Sequence, residues 1–364
     1  MYRRIITLSV ISILCGYGAQ DELILRHADT NMNEIINNEL VSTLGGHVLF
    51  EYDDILVSSR NARMWNRQGI VKLNDSVRVD RGRQKLTCNT MTMLKEKNLL
   101  TAAGTVVYDD DEKLIRLLGR KVDYDMKRRF MTVTGEPRFF RFDTLAAETL
   151  SVTGAAMTWD DSLSVATVRD SVRITRGPLF SRCRRATYGT KDSRAYLRGE
   201  PYVTYDIHDL DGDSMDLLFV NDTLRGLSVD GDAHGIYREP SKSGPDTSVT
   251  HIWSDSMYMA LSPRGNLDSL YAVGSVESRY FLSARKDSAD EVKGKTMVLA
   301  FNGEGDLTSA VVSGNAWSTY FIREEEGSGR NESSGDSITV YFNDGEAVEL
   351  YLTGGVRGTY YGEK

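Results

Sequence analysis

The stretch Leu99-Leu-Thr-Ala-Ala-Gly-Thr-Val-Val-Tyr108 decides the fold that the sequence predicts. Apolar and polar residues alternate on both sides of Gly104, and a period of two is typical of a β-strand with one buried face. A glycine between two strand halves indicates a bulge or a sharp bend. The sequence therefore predicts a strand that bends at Gly104 and directs one row of apolar side chains inward on each side of it.

The same pattern recurs along the chain at intervals of roughly 30 to 40 residues, a spacing typical of repeat proteins. Its recurrences are marked by Gly46, Asp75, Gly104, Gly135, Asp170, Gly199, Gly231, Gly274, Gly314 and Gly354. One offset of 95 positions relates Asp75 to Asp170, Cys88 to Cys183 and Gly104 to Gly199. Because three independent markers keep one offset, we expect about ten two-strand units stacked along the sequence.

Composition favours a folded all-β chain and excludes one class of partner. The 364 residues are 40% hydrophobic and include 18 tyrosines and only 6 prolines. Many short stretches of period two occur after residue 20 and no sustained apolar stripe of period 3.6, so strands should dominate and helices should be few. The net charge of −8 lacks the basic footprint of a nucleic-acid-binding protein.

Residues 1–19 have the features of a secretory signal. Two arginines precede a ten-residue apolar region that starts at Ile5, and small residues follow for cleavage after Gly18 or Ala19. An uncleaved membrane anchor and a lipoprotein modified at Cys15 are the alternatives. Cleavage removes the two arginines and no acidic residue, so the net charge would change from −8 to −10.

Two polar stretches suggest boundaries within the repeats. The first, residues 238–250, contains two prolines and coincides with the change from the shorter to the longer repeat spacing. We expect repeats over 20–237, a polar linker or long loop over 238–250, and a second, divergent β-repeat segment over 251–364. The second polar stretch, Glu324–Gly335, predicts a loop at a hairpin tip.

The sequence offers no catalytic or metal-binding motif. The five histidines have no metal-ligand spacing. The acidic stretch Asp206–Asp216 places Gly212 at position 4 from Asp209, whereas an EF-hand needs glycine at position 6, so a turn between strands is expected. No phosphate-binding loop, dinucleotide fingerprint or nucleophile elbow occurs. We therefore expect no enzyme activity, no catalytic residue, no metal and no cofactor.

A disulfide within the chain is not expected. Cys88 and Cys183 occupy equivalent positions three units apart. In a stack of strands about 4.8 Å apart, that separation is roughly 14 Å. A disulfide requires Cα atoms within about 7 Å of each other.

Taken in order, several of these stretches resemble the LptA/OstA-like (organic solvent tolerance) family of lipopolysaccharide transport proteins. The stretches that carry the resemblance are Leu25–Asp29, Leu44–Phe50, Val77–Asn89, Ala102–Val106, Val122–Asp125 and Val133–Pro137. The resemblance implies that 20–237 form an OstA-like β-jellyroll, elongated and open, with 251–364 as a divergent continuation. The chain departs from the family in its greater length and in having Asp75 and Asp170 at glycine positions. One long groove and two tandem jellyrolls both remain open.

The resemblance also implies a function. Such jellyrolls shield lipid A acyl chains in an interior groove and stack end to end, or on related domains, to bridge the periplasm. The expected ligand is lipopolysaccharide or another envelope lipid, and the expected partners are jellyroll proteins of the same transport type or further copies of this chain, joined by edge strands. The alternation of apolar and polar residues predicts which side chains line this groove. They are Val48, Phe50, Leu73, Val77, Val79, Leu100, Val106, Tyr108, Val133, Phe139, Val172, Ile174, Val203 and Tyr205.

The same pattern also fits a structural or adhesive protein of the cell envelope. The apolar rows of two facing sheets would then pack on each other and leave no groove. The transport hypothesis predicts an accessible apolar groove with bound lipid, and the structural hypothesis predicts a closed, dry core.

Overall fold

A computed structural model describes residues 23–52, 54–143, 148–189, 191–220, 223–240, 247–281, 289–324, 327–343 and 346–362. Every regular element in these residues is a β-strand. No helix in the described part of the chain is long and apolar enough to cross a membrane. The predicted signal, residues 1–19, lies outside the described residues.

The 26 strands are antiparallel, and most of them pair with the strand that follows in sequence. Their bounds are β1 Ile24–His27, β2 Thr30–Ile36, β3 Glu39–Tyr52, β4 Ile55–Trp65, β5 Ile70–Arg81, β6 Gln84–Leu94, β7 Leu99–Asp110, β8 Ile115–Asp125, β9 Phe130–Thr134, β10 Arg138–Asp143, β11 Glu148–Thr153, β12 Ala156–Asp160, β13 Val165–Arg176, β14 Leu179–Gly189, β15 Arg194–Arg198, β16 Tyr202–Tyr205, β17 His208–Asp211, β18 Ser214–Val220, β19 Thr223–Pro240, β20 Thr247–Leu261, β21 Leu267–Phe281, β22 Asp290–Phe301, β23 Leu307–Glu324, β24 Gly327–Asn343, β25 Glu346–Thr353 and β26 Arg357–Gly362. The predicted all-β repeat fold is confirmed.

The chain divides into two compact units. Unit 1 contains residues 1–177 and 185–192, and unit 2 contains residues 178–184 and 193–364, so β14 contributes to both. Within the stretch 238–250, where the sequence suggests a linker, β19 and β20 continue to pair, Arg238 with Val249 and Pro240 with Thr247. The division into repeats over 20–237 and 251–364 stays a prediction.

All ten marker positions adopt a left-handed backbone conformation. Nine of them are followed by a second left-handed residue, as at Gly46 (φ 70°) and His47 (φ 44°). In the β3–β4 ladder, Gly45 pairs with Asn61 and Val48 with Ser59, so the two left-handed residues face a single residue of β4. This two-against-one arrangement is a β-bulge, and the predicted corner is therefore confirmed.

Aspartate replaces glycine at two corners without interrupting the repeat. Asp75 and Asp170 have φ values of 64° and 60°, in the same left-handed region as the glycines. A short polar side chain tolerates this conformation better than other L-residues do, because it bonds locally. At Asp75 the carboxylate accepts a hydrogen bond of 3.0 Å from Nδ2 of Asn61 on the neighbouring strand.

The corners divide the strands into two arms. We define arm A as the strand halves joined by the turns at 66–69, 95–98, 126–129 and 161–164 in unit 1 and at 262–266 and 302–306 in unit 2. Arm B is formed by the halves joined by the turns at 82–83 and 111–114 in unit 1 and at 206–207 in unit 2. Alternate side chains of both arms are buried, as Leu100 and Ala102 in arm A and Val106 and Tyr108 in arm B.

A column of small residues lies beside the corners, one on each alternate strand. A Cβ built at Gly119 or Gly154 would lie 2.6 Å or 2.5 Å from Cγ1 of Val133 or Val168. Gly212 and Gly294 face later valines in the same way. Neither Gly119 nor Gly154 has a positive φ, so space and not backbone conformation requires glycine at both.

Ser59, Cys88 and Ser254 occupy the same position in other sequence repeats and are also buried. Each side chain donates a hydrogen bond to the carbonyl two residues further on, over 3.0, 3.3 and 2.9 Å respectively. Burial raises the pKa of the Cys88 thiol to about 11, so it stays protonated at neutral pH and keeps this bond. Cys88 and Cys183 are both buried, and neither forms a disulfide.

The hairpin expected at Glu324–Gly335 is present, since Glu324 pairs with Gly327, but the prediction of a loop over the whole stretch is wrong. Residues 327–335, rich in glycine and serine, belong to β24 and pair with β23 from Ala316 opposite Gly335 to Glu324 opposite Gly327. On its other edge the same stretch pairs with β26. Backbone pairing on both edges outweighs the low strand propensity of these residues.

We expect Gly154→Ala to destabilise the protein by about 1–3 kcal/mol, because the added methyl overlaps Val168 in a packed interior. Gly303→Ala is the matched control, since nothing lies within 4 Å of its Cβ position and its φ is not positive. Urea denaturation of both variants measures the difference. Equal midpoints would show that the space beside the corner is not limiting.

Candidate functional site

Most of the residues predicted to line a groove are buried. Eleven of the fourteen are almost fully shielded from solvent: Val48, Phe50, Leu73, Val77, Val79, Leu100, Val106, Tyr108, Val133, Val172 and Val203. Phe139, Ile174 and Tyr205 are half-buried. Since burial alone does not distinguish a groove from a packed core, the role of these residues in lipid binding stays a prediction.

The interior of arm A contains methionines that the predicted set omits. Seven are buried: Met91, Met131, Met157, Met215, Met257, Met259 and Met297. Methionine is unbranched and flexible, so it fills irregular gaps and adapts to a partner of variable shape. The signal was present in the sequence, because these methionines follow the same alternation as their neighbours, for example Met131 two residues before Val133.

In unit 2 the two arms touch each other. The ring of Tyr237 in arm B lies 5.4 Å from that of Phe301 in arm A, and the His208 ring stacks on Tyr237 at 4.8 Å. The Tyr205 hydroxyl donates a 2.7 Å hydrogen bond to the carbonyl of Gly265. These contacts join the hairpin ends of the two arms and cover the apolar interior of unit 2 at this point.

His208 is held neutral within this contact. Burial lowers its pKa from 6.5 to about 4. Its Nδ1 accepts a 3.2 Å hydrogen bond from the backbone N–H of Arg238. The Arg238 guanidinium pairs instead with Asp209 at 2.7 Å and bonds the carbonyl of Ile207. A protonated imidazole would lack solvation here, so the contact favours the neutral form.

In unit 1 the buried carboxylate of Asp110 is satisfied by the chain itself. The Asp110 carboxylate, 1% exposed, accepts hydrogen bonds from Gln84 Nε2 at 3.0 Å and from the backbone N–H groups of Glu112 and Lys113. The Tyr108 hydroxyl lies 3.4 Å from it, and burial together with this negative charge raises the pKa of Tyr108. Asp110 therefore holds the turn at 111–114 and offers no free group to a ligand.

Strand pairing brings together histidines that are scattered in sequence. On the outer face of arm B in unit 2, His234 Nδ1 lies 3.0 Å from Asp211 and its Nε2 lies 3.1 Å from His251 Nδ1. The Trp253 ring stacks beside both. This cluster has no signal in the sequence, because its members lie on three different strands. Among the residues that the structure describes, no group of three or more His, Cys, Asp or Glu side chains has an arrangement that could hold a metal ion.

Both ends of the array expose strand edges. Among the described strands, β1 and β2 pair only with β3, and β25 and β26 only with β24. Large apolar side chains are exposed there, including Ile35 (78%) on β2 and Tyr360 (60%) on β26. An unpaired edge of this kind is a template for pairing with another strand.

Comparison with known proteins yields a distant likeness of fold. No protein-family model matches the chain, and no curated protein sequence does. Among matching solved structures is LptH from Pseudomonas aeruginosa, described as the LptA-homologous periplasmic component of the conserved lipopolysaccharide transport device. The match is 15% identical, covers 40% of this chain and 82% of LptH, and has a TM-score of 0.23. These values are too low to show family membership or function.

We expect the protein to lose stability as the pH falls from 6.5 toward 4. The unfolded chain takes up a proton at His208 near pH 6.5, whereas the folded chain does so only near pH 4. Stability therefore rises with pH through this window, and His208 contributes up to about 3 kcal/mol of the change.

His208→Gln keeps a hydrogen-bond acceptor and removes the titration. Thermal unfolding of both proteins at pH 4.5, 5.5 and 7 should give a shallower pH slope for the variant. Parallel slopes would mean that His208 is solvated in the folded protein.

Proposed function

We propose that the protein is a periplasmic carrier that shields acyl chains of lipopolysaccharide, or of another envelope lipid, in the apolar interior between its arms. The observation that carries this proposal is the composition of that interior. Apolar side chains of both arms are buried along the internal strands, and seven buried methionines line arm A. Each CH₂ group transferred from water to such a surface contributes about 0.8 kcal/mol, so part of one acyl chain is enough for binding.

Entry of an acyl chain requires packed side chains to move. Phe50 and Val106 are only 1% and 2% exposed, so the lipid replaces protein–protein contacts and does not fill an open channel. Methionine side chains change rotamer at low cost, which favours arm A as the surface that adapts. In unit 2 the Tyr237–Phe301 contact has to open before a chain reaches the interior from the hairpin ends.

The proposal includes no chemical step. Transport of this kind needs no catalytic residue, metal or cofactor, and the buried carboxylate of Asp110 is already occupied by protein donors. We place the protein in the periplasm, between inner and outer membrane, after removal of residues 1–19. The acidic chain is not expected to bind nucleic acid.

The exposed edges support a second part of the proposal, assembly by strand addition. The free edge of β2 on one molecule and that of β25 on another, both in arm A, expose unpaired backbone groups and apolar side chains. Head-to-tail pairing would extend the ladder and cover both. The proposed partners are jellyroll proteins of the lipopolysaccharide transport type and further copies of this chain.

The alternative is a structural or adhesive envelope protein with a closed core. The near-complete burial of the interior rows and the aromatic contact between the arms of unit 2 favour it. In that case the same side chains stabilise the fold and hold no lipid.

A photo-crosslinker inside the interior should capture lipid. We expect p-azidophenylalanine in place of Tyr108 or Tyr124, both buried, to crosslink lipid when the protein is purified from a lipopolysaccharide-producing periplasm. The same probe at Tyr196, between buried Ala195 and Leu197 and therefore on the outer face of β15, is the control. Mass spectrometry identifies the adducts. Absence of adducts at both interior positions, in protein that also extracts free of lipid, would favour the closed core.

Assembly through the edges should be sensitive to charge. We expect Ile35→Lys on β2 to abolish open-ended oligomers, because a lysine on an edge strand opposes strand addition. Leu56→Lys, an exposed apolar position on the internal strand β4, is the matched control. Light scattering after size exclusion measures the oligomers. Loss of oligomers in both variants, or in neither, would argue against edge pairing.

A further inference from the structure

The outer face of arm A in unit 2 is an uncharged surface. It is formed by three transverse rows of paired residues on β20–β25. The central row consists of Tyr258, Tyr271, Val298, Val311, Thr339 and Tyr351. The flanking rows consist of serine, threonine, alanine, valine and tyrosine, with Glu349 at one rim as the only charged residue in the three rows. We call this surface the neutral face.

Arm B of the same strands provides an internal comparison. Its outer face carries a network in which Arg279 pairs with Glu277 and Glu291, and Lys293 pairs with the same two carboxylates. Both outer faces belong to strands that bend at one row of corners, in a chain of which 26% of residues are charged. A general need for solubility would place charges on both arms, so the neutral face has a different cause.

The neutral face is exposed to solvent, and its surface is not flat. Tyr271 is 44% exposed and Tyr351 54%. The tyrosines and valines of the central row rise above flanking rows in which serine and alanine are frequent. A ridge with a trough on each side is self-complementary, because the ridge of one copy fits the trough of another. Tyrosine supplies large contact area together with a hydroxyl, which is why it is enriched at protein interfaces.

The side chains on the neutral face argue against two other occupants. Sugar rings stack on aromatic rings that lie parallel, but Tyr258 and Tyr271 are inclined by 37° and Tyr341 and Tyr351 by 88°. A membrane surface with anionic lipids attracts lysine and arginine, and the three rows contain neither. A second copy meets no such obstacle, because two neutral faces brought together do not repel.

The area is sufficient for a weak, specific dimer. Six strands spaced about 4.8 Å apart and five residues along each strand give a face of roughly 29 by 17 Å. That is about 500 Å² on each copy and about 1,000 Å² in total, at the lower end of specific interfaces. We propose that two copies of this chain pack their neutral faces together about a two-fold axis, sheet against sheet. This face-to-face contact stops at a dimer, whereas edge pairing can continue to add copies.

Sedimentation velocity of the purified protein from about 1 to about 100 μM tests the proposal, since a dimer of this area is expected to dissociate in the micromolar range. All samples carry Ile35→Lys, which blocks open-ended edge pairing, and in this background we expect a monomer–dimer equilibrium for the wild-type face. Thr339→Lys places a charge in the central row of the face and should weaken the dimer at least tenfold. Ser334→Lys is the control, because Ser334 pairs with Trp317 on the outer face of arm B of the same strand.

Tyr271→Glu is a second face variant, at an exposed position that tolerates a polar side chain. It provides an independent test if Thr339→Lys lowers the unfolding temperature, and it should also weaken the dimer. Dimers lost in the face variants and kept in Ser334→Lys support the contact. A protein with the wild-type face that is monomeric at every concentration, a dimer that persists in both folded face variants, or binding of the face to neutral-lipid vesicles instead would overturn it.

Discussion

The left-handed corner is the constraint on which the fold depends. An L-residue in this conformation is disfavoured by contact between its Cβ and the backbone, so an extended strand does not adopt it without a specific residue. Glycine at eight of the ten corners and aspartate at two remove or offset that cost. Each corner inserts one extra residue against the neighbouring strand, and the ladder therefore bends at one place in every unit. The inward rows of apolar side chains depend on this regular bend.

The bend also dictates which side chains fit beside it. Valines such as Val133 and Val168 press against the neighbouring strand at a point where no Cβ is tolerated, so glycine occurs at 119 and 154. Where a little more room exists, serine or cysteine takes the position and satisfies a backbone carbonyl at the corner. Cys88 is therefore a small hydrogen-bonding residue of the interior, and its position beside the corner has a packing cause.

The two arms differ in chemistry on both of their faces. Inside, arm A is rich in methionine, and in arm B of unit 1 valine and aromatic residues recur. Outside, arm B of unit 2 carries paired charges and arm A is neutral over six strands. An adaptable inner surface fits a flexible hydrocarbon, and a neutral outer surface fits a protein partner. The proposed lipid and the proposed second copy would therefore occupy separate surfaces.

The sequence by itself determined the strands, the corners and the inward rows, because all three follow from local rules: alternation of period two and residues that tolerate a left-handed backbone. From the sequence alone a loop was expected at 327–335, and this was wrong because pairing on both edges overrides local propensity. Only the tertiary structure brought His234 to His251 and Tyr237 to Phe301, and only strand register aligned Tyr258, Tyr271 and Tyr351 into one row. Such contacts depend on which strands are neighbours and on their relative shift, and neither is encoded within a single strand.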